Sequence, residues 1–384
     1  MLFSDATWAN EELNAFADGI GKFLDKEVIP RRSEFESAGA VPREVWQKAG
    51  DNGLLGISVP EEFGGLSASL AHESILLAEL GVRNEMGFGY YVHSIAVHYV
   101  IAYGTPSQKE RWLPRLASGE LIGAICMSEP GAGSDLQGIK TTAVPDGNEY
   151  IINGSKTFIS NGQIANFLVV VAKTDKTQGA KGISLIGVET DGLEGFSRGQ
   201  NLEKLGLKSQ DTSELFFNDV RVPLTALIGD AEGKGFGQMM DQLPWERLII
   251  AILGVGIAEA ALNEALNYTQ QRKAFGKSIA EFQNTRFKLA EAKTKIEFAK
   301  AYVEKCIGKI TGDAGLSAAE ASMAKYLVSE IQNEVVDECL QLHGGYGFMM
   351  EYPIARMFAD SRVQKIYGGT NEIMKELIAR SLLH

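Results

Sequence analysis

The chain is poor in the residues that build metal centres and disulfide frameworks. Its 384 residues hold three cysteines and five histidines. Cys126, Cys306 and Cys339 stand far apart with no Cys-x-x-Cys pair, and read as reduced, mostly buried thiols of a cytosolic-type compartment. The histidines make no His-Glu-x-x-His or comparable spacing, so no metal is expected. Basic residues are the minority. The 37 Lys and Arg against 49 Asp and Glu leave a formal net charge of −12. Such a surface repels phosphate backbones and excludes nucleic acid as a partner, although a polyanion held in a local basic pocket stays compatible with it. Polar, low-apolar stretches are missing, so disorder is not expected beyond the termini. No run of about eighteen apolar residues stands out, and no membrane-spanning helix is expected. The opening Met1-Leu2-Phe3-Ser4-Asp5 has neither the basic region nor the apolar core of a signal segment, and the expected location is cytoplasmic.

Hydrophobic residues make up 45% of the chain, enough for a large core and two or three domains. Residues 1–118 read as a helical domain. Leu13, Phe16, Ile20, Phe23, Leu24 and Val28 form an amphipathic stripe that Pro30 closes, and a second helix is expected near Pro42. Further helices are expected over 70–81 and 92–103, and Ser107 is a candidate cap for a short helix reaching Ala117. Between 119 and 232 the pattern changes to short β-branched and aromatic runs: Ala124–Met127, Tyr150–Ile152, Thr157–Ile159, Phe167–Ala172, Ile183–Val188 and Leu215–Phe217. Gly, Asn and Asp punctuate them, which predicts an antiparallel barrel or sandwich. From 233 to 384 the helical period returns, with helices expected near 235–272, 279–309, 317–343 and 353–381. Short connections make them an antiparallel four-helix bundle. The fold class is therefore α+β and multidomain.

Several motifs carry chemistry. Met127-Ser128-Glu129-Pro130-Gly131-Ala132-Gly133-Ser134-Asp135 follows an apolar run. Its glycines do not make a dinucleotide fingerprint, because strands continue after it and Leu136 replaces the third glycine. The bland reading is a tight turn. The functional one is close backbone approach to a flat or phosphorylated ligand. Lys156-Thr157-Phe158-Ile159-Ser160-Asn161-Gly162 reads, alone, as a core strand. Arg272-Lys273-Ala274-Phe275-Gly276-Lys277, with Phe282 and Gln283 beyond it, is either a cationic helix end closed by glycine or a phosphate site. Gln341-Leu342-His343-Gly344-Gly345-Tyr346-Gly347 is a glycine-rich helix end. Leu243-Pro244-Trp245-Glu246-Arg247 looks like a helix start, with Pro244 in the first turn and Glu246 where the dipole favours acids. Lys365-Ile366-Tyr367-Gly368-Gly369-Thr370-Asn371-Glu372-Ile373 reads as a glycine kink.

Taken together these motifs resemble the acyl-CoA dehydrogenases over nearly the whole length, including the early stretch Pro42 to Leu66 with its Glu61-Glu62-Phe63-Gly64-Gly65. Most of that family carries its catalytic base as a Glu in a Tyr-Glu-Gly-Thr run near the C-terminus, where this chain has Gly368. A minority, including the long-chain and isovaleryl enzymes, places the Glu on an earlier helix, and Glu246 stands there, followed by Arg247 as in the long-chain enzymes.

The resemblance implies an FAD enzyme that converts a saturated acyl-CoA to the trans-2-enoyl-CoA and passes electrons to an electron-transferring flavoprotein. It makes Glu246 the base. It assigns Met127, Ser128, Gly133, Ser134, Phe158, Ile159 and Ser160 to the flavin, with Arg272, Phe275 and Gln283 at the diphosphate. Gln341, Leu342, His343, Gly344 and Gly345 would reach a neighbouring subunit's FAD, and Thr370, Asn371 and Glu372 are further FAD contacts. Ser134, Arg247, Gly368 and Gly369 would meet the substrate, and the assembly would be a homotetramer, a pair of dimers. Two other readings remain open: an acyl-CoA oxidase on the same scaffold, and a non-dehydrogenating flavoprotein used for binding. Chain length is open too, because Phe88, Tyr90 and Tyr91 either shorten the acyl pocket or face elsewhere.

Overall fold

The structure, a computed structural model, describes residues 1–383. Helix α1 (Glu11–Phe23) opens on Asn10, whose side-chain oxygen accepts from the Leu13 N–H. Leu13, Ala17 and Ile20 are its buried stripe. Pro30 does not end the helical path. The chain passes through a wide π turn at Leu24–Val28 and a tight 3-10 turn at Ile29–Arg31, then resumes as α2 (Arg32–Ala38). The proline falls in the first turn of a new segment, where its missing N–H has no intrahelical acceptor to lose. Helix α3 (Arg43–Asp51) starts behind Pro42. Both α4 (Leu70–Val82) and α5 (Tyr90–Tyr103) are buried almost all round. Helix α6 (Pro106–Ala117) is capped by Thr105 and not by Ser107. Pro106 takes the first helical position, so the cap must precede it, and Thr105 and Gln108 complete a reciprocal capping box.

The middle of the chain is a curled sheet of β1 (Gly123–Cys126), β2 (Thr142–Asp146), β3 (Glu149–Ser160), β4 (Phe167–Lys173), β5 (Ile183–Glu189), β6 (Phe196–Asn201) and β7 (Thr212–Pro223). The order is β1-β4-β2-β3-β7-β6, with β5 paired to β4. Most pairs are antiparallel, but β1 and β2 both run parallel to β4. The runs Tyr150–Ile152 and Thr157–Ile159 belong to one strand. Asn153-Gly154 between them is a bulge against β7 rather than a turn. Strands β2 and β6 were not apparent in the pattern, since Pro145 interrupts one and Arg198-Gly199 the other.

The C-terminal part holds α7 (Gly235–Gln271), a hairpin of β8 (Lys273–Ala274) and β9 (Lys277–Ser278), α8 (Gln283–Thr311), α9 (Ala318–Leu342), α10 (Pro353–Ser361) and α11 (Asn371–Leu383). Helix α7 packs against α4, α8 and α9 and is the axis of the fold. It crosses α4 where Gly256 meets Gly81; a Cβ on Gly256 would lie 2.9 Å from the Gly81 backbone. By length and composition α7 passes for a membrane span, contrary to the expectation of no such run. However, 83% of its most apolar window is buried inside the protein, as in a core helix. The segment 353–381, expected as one helix, is two. A 3-10 turn at Arg362–Lys365 and left-handed backbone at Gly368 (φ 63°) and Gly369 (φ 94°) separate α10 from α11.

Candidate active site

Pro244 lies well inside α7, which begins at Gly235. Glu246 is therefore in a helix interior, and the dipole of a helix start does not account for it. Its side chain lines a cleft of about 500 Å³ walled by α5, the β1–β3 region, α7 and α11. Burial pushes the Glu246 carboxyl up to about 7, against the opposing pull of the Tyr99 hydroxyl, Arg247 and His98. The Tyr99 hydroxyl donates to Glu246 Oε1 at 2.9 Å. Arg247 is also buried, donates from Nη1 to Ser322 Oγ at 3.4 Å, and leaves Nε without a partner. Apolar side chains of Val92, Ile95, Phe236, Leu243, Ile249 and Ile250 line the same cleft. Of the three aromatic residues in question, only Tyr91 lines it. Phe88 packs on Trp46 at 4.7 Å between ring centroids, and Tyr90 is buried outside the lining.

The wall facing α7 is built by the sheet. The segment that follows β1 delivers Met127 and Ser128 to the cleft, and the turn beyond it delivers Gly133 and Ser134. A Cβ on Gly133 would meet open space. Strand β3 supplies Phe158, Ile159 and Ser160. Phe158 sits at a register shift against β7, at φ 57°; the residue is 69% exposed and lines the cleft. A bulky residue with left-handed backbone and an open aromatic face is strained, and such strain gathers at ligand sites. Among the described residues, the hydroxyls of Ser128, Ser134 and Ser160 have no side-chain hydrogen bond to the rest of the chain. An exposed ring, free hydroxyls and a glycine with room above it suit a flat ligand with polar edges.

That wall rests on a buried ion pair. Lys156 Nζ donates to Glu129 Oε1 at 2.9 Å and to the Met127 carbonyl at 3.1 Å. Glu129 also accepts from the Lys140 and Thr141 N–H groups. Burial disfavours both charges; at Glu129 the ammonium outweighs it and holds the carboxyl below its usual value. Lys156→Met is expected to lose about 3–5 kcal/mol of stability by leaving the carboxylate unpaired, and Lys156→Met with Glu129→Gln about half as much or less. Urea unfolding of the single and double variants checks this; equal losses would show that the pair is not the cause.

Gly368 and Gly369 line the same cleft, Gly368 beside Ile250 of α7. Their N–H groups find no acceptor in the chain among the described residues. Lys325, fully buried on α9, holds the turn from behind by donating to the Gly369 carbonyl at 2.7 Å and to Asn371 Oδ1 at 2.9 Å.

Arg272, Gln341, Leu342, His343, Gly344 and Gly345 gather in a separate groove with Tyr268 and Tyr346. The Arg272 guanidinium stands 5.8 Å over the Tyr346 ring, and His343 stacks on Tyr268 at 4.3 Å. The remaining expected site residues line neither. Phe275, at the tip of the β8–β9 hairpin, is 96% exposed, and Gln283 and Glu372 are exposed as well. Asn371 is buried and its amide is spent on Ser329 and Glu330. Thr370 accepts from the Ile373 N–H at 3.4 Å.

Tyr99, His98, Glu73 and Lys325 were missed from the sequence. Glu73 and His98 carried a signal, as charged or titratable residues in helices otherwise almost wholly apolar. Tyr99 and Lys325 carried none, because only the fold brings α5 and α9 to α7.

A helical layer, a curled sheet and a helical bundle meet over a buried carboxylate and an apolar cleft, and likeness to known proteins makes this fold and site those of an oxidoreductase acting on CH–CH groups. The chain belongs to the acyl-CoA dehydrogenase family. Residues 10–120 match its N-terminal domain, 124–220 its middle domain and 233–383 its C-terminal domain. The chain is 50% identical over 378 residues to the mitochondrial long-chain specific acyl-CoA dehydrogenase of Sus scrofa, which spans 98% of this chain and 87% of that one. Its fold is similar to the crystal structure of an acyl-CoA dehydrogenase from Geobacillus kaustophilus, with a TM-score of 0.95, 46% identity and coverage of 98% and 99%. It is also similar to a glutaryl-CoA dehydrogenase from Mycobacterium smegmatis in complex with FADH2, with a TM-score of 0.90, 28% identity and coverage of 97% and 95%. Members of the family are FAD flavoproteins.

Proposed function

We propose that the chain dehydrogenates a saturated acyl-CoA thioester to the trans-2-enoyl-CoA, with Glu246 as the base. The observation that carries this reading is the buried carboxylate of Glu246 in the wall of an apolar cleft, with unclaimed N–H groups at Gly368 and Gly369 lining the same cleft. The α-proton of a thioester is far less acidic than a carboxylic acid, so the site must both raise the strength of the base and stabilise charge on the thioester oxygen. Burial does the first at Glu246. The Gly368 N–H supplies a donor for the second, worth about 3–4 kcal/mol in such sites. Residues Val92, Ile95, Phe236 and Leu243 hold the acyl chain and exclude water around the carboxylate.

Met127, Ser128, Gly133, Ser134, Phe158, Ile159 and Ser160 would hold the flavin ring, and Ser134 and Arg247 would also meet the substrate. When bound, FAD supplies the acceptor for the hydride that leaves the β-carbon and passes the electrons to an electron-transferring flavoprotein. Arg272, Phe275, Gln283 and the groove of Gln341 to Gly345 lie apart from this cleft, which fits contact with FAD shared between subunits of a homotetramer, a pair of dimers. Thr370, Asn371 and Glu372 would act through the end of the glycine turn. Segments 1–118, 119–232 and 233–384 would be the three domains.

Anaerobic mixing of the flavin-loaded protein with straight and branched saturated acyl-CoA thioesters of increasing length tests the reading. Bleaching of the flavin by at least one of them is the expected outcome; no bleaching by any would overturn it. Rapid aerobic reoxidation with stoichiometric peroxide would move the protein to the oxidases. The pH dependence has a definite sign. Glu246 must be ionised to accept a proton, so kcat/KM should rise with pH through about 7 and level off above it. An acidic limb near the ordinary carboxylate range would show that burial does not tune this base.

A further inference from the structure

The Glu246 carboxylate has one hydrogen-bond partner among the described side chains, the Tyr99 hydroxyl at 2.9 Å. Both groups are buried, and they come from different helices, α5 and α7. A phenol that donates to one oxygen of a carboxylate fixes its rotamer and leaves the second oxygen free to take a proton. Tyr99 is itself fixed. Its ring lies against Tyr103 at 6.2 Å, and the residue before it, His98, is tied to the buried Glu73 by a 2.8 Å bond from Nε2. Glu73 also accepts from Ser94 at 2.6 Å and from Ser58. On the far side His98 packs edge-on against Trp245 at 6.1 Å, the neighbour of Glu246 in α7. Thus α5 meets α7 both at the base and at its neighbour Trp245.

We propose that Tyr99 is the positioning residue of the base: its hydroxyl holds Glu246 Oε1 so that the other carboxylate oxygen faces the acyl α-carbon, with the Glu73–His98 pair anchoring α5 behind it. The inference rests on Glu246 being the base. The bland alternative is that a buried tyrosine has only found an acceptor for its own hydroxyl, which would leave the chemistry unaffected. The titratable and charged groups that act on Glu246 are Tyr99, Tyr103 and His98 on α5 and Arg247 on α7, with Glu73 on α4 reaching it through His98, while Asp135 and, on α11, Glu376 and Arg380 line the same cleft. The Tyr99 hydroxyl is the one that bonds the carboxylate directly, and a donor to the ionised form favours ionisation.

Tyr99→Phe keeps the ring and removes the bond. It is expected to slow flavin bleaching at pH 7 about tenfold with KM little changed, and to move the acidic limb of kcat/KM about one pH unit upward. Incorporation of a fluorinated tyrosine at 99, a stronger donor that keeps the fold, is expected to move the same limb downward. FAD content and thermal stability of each are measured beside the profiles. Opposite shifts of the limb by the two variants support the proposal; profiles that superimpose on the parent's overturn it. Glu246→Gln run in parallel separates the two failures. If that variant keeps parental turnover, the base is elsewhere and the parent reading falls. If it is dead while both Tyr99 variants match the parent, only the role of Tyr99 falls.

Discussion

Glu246→Gln is expected to lose turnover by about three orders of magnitude while keeping its flavin, because general-base removal typically costs about 10²–10⁴-fold. The substitution is nearly isosteric, and the amide oxygen still accepts from Tyr99, so the cleft should keep its shape. Its effect on stability separates loss of chemistry from loss of fold. The folded-state value of about 7 lies above the ordinary carboxylate value of 4.5. The folded protein therefore binds the proton more tightly than the unfolded chain. That advantage is present below about 4.5 and disappears as pH rises to about 7, amounting to about 3 kcal/mol. Above pH 7 the parent carries a buried carboxylate that the Gln variant lacks. Thermal unfolding near pH 8 should then find the variant at least as stable as the parent. A variant that is inactive, unstable and flavin-free would show a structural role; one that is active would remove Glu246 from the mechanism.

This residue also shows what the sequence made legible and what it could not. Two positions 122 residues apart (368 − 246) suggested a relocated base, and the fold brings both to one cleft. The local reading of the same segment failed, because Pro244 has the look of a first-turn residue. In fact α7 starts at Gly235 and runs through the proline, which frees the Met240 carbonyl beside the cleft instead of ending the helix. The gross order of helices, sheet and bundle was legible because hydrophobic period reports burial directly. Strand β3 was split in two because Asn153-Gly154 has turn chemistry, and only its partner β7 shows that the strand continues through a bulge. The seven ring-side flavin candidates converge on one wall because the segment after β1 runs beside the end of β3, where the Thr157 N–H donates to the Ser128 carbonyl. The diphosphate-side candidates do not converge with them in a single chain. What surrounds the base was least legible. Tyr99, His98 and Glu73 come from helices whose relation to α7 is set by packing, such as the Gly81–Gly256 crossing, and not by any spacing within one segment.

Gly368→Ala should be damaging well beyond the size of one methyl group. The backbone there is left-handed, φ 63°, where an L side chain costs about 1–2 kcal/mol. The new Cβ would also stand 2.3 Å from Ile250 Cδ1. That methyl is the end of a flexible side chain, so it would turn away rather than break the fold, and because Ile250 lines the cleft it would turn into the space the acyl chain needs. The acyl chain would then be displaced relative to Glu246, and a shift of about 1 Å can lower a rate about 10²-fold. Ile250→Val removes only the offending methyl, and the next atom, Cγ1, is at an ordinary 3.7 Å. The double variant is therefore expected to regain most of kcat/KM while keeping the backbone part of the stability loss, since Val cannot relieve the strain at residue 368. Bleaching kinetics report the first and urea unfolding the second. If Gly368→Ala matched the parent in rate, the glycine would not be needed for approach to the thioester. If the double variant stayed as slow as the single, the fault would lie in the lost orientation of the residue 368 N–H and not in the crowding of Ile250.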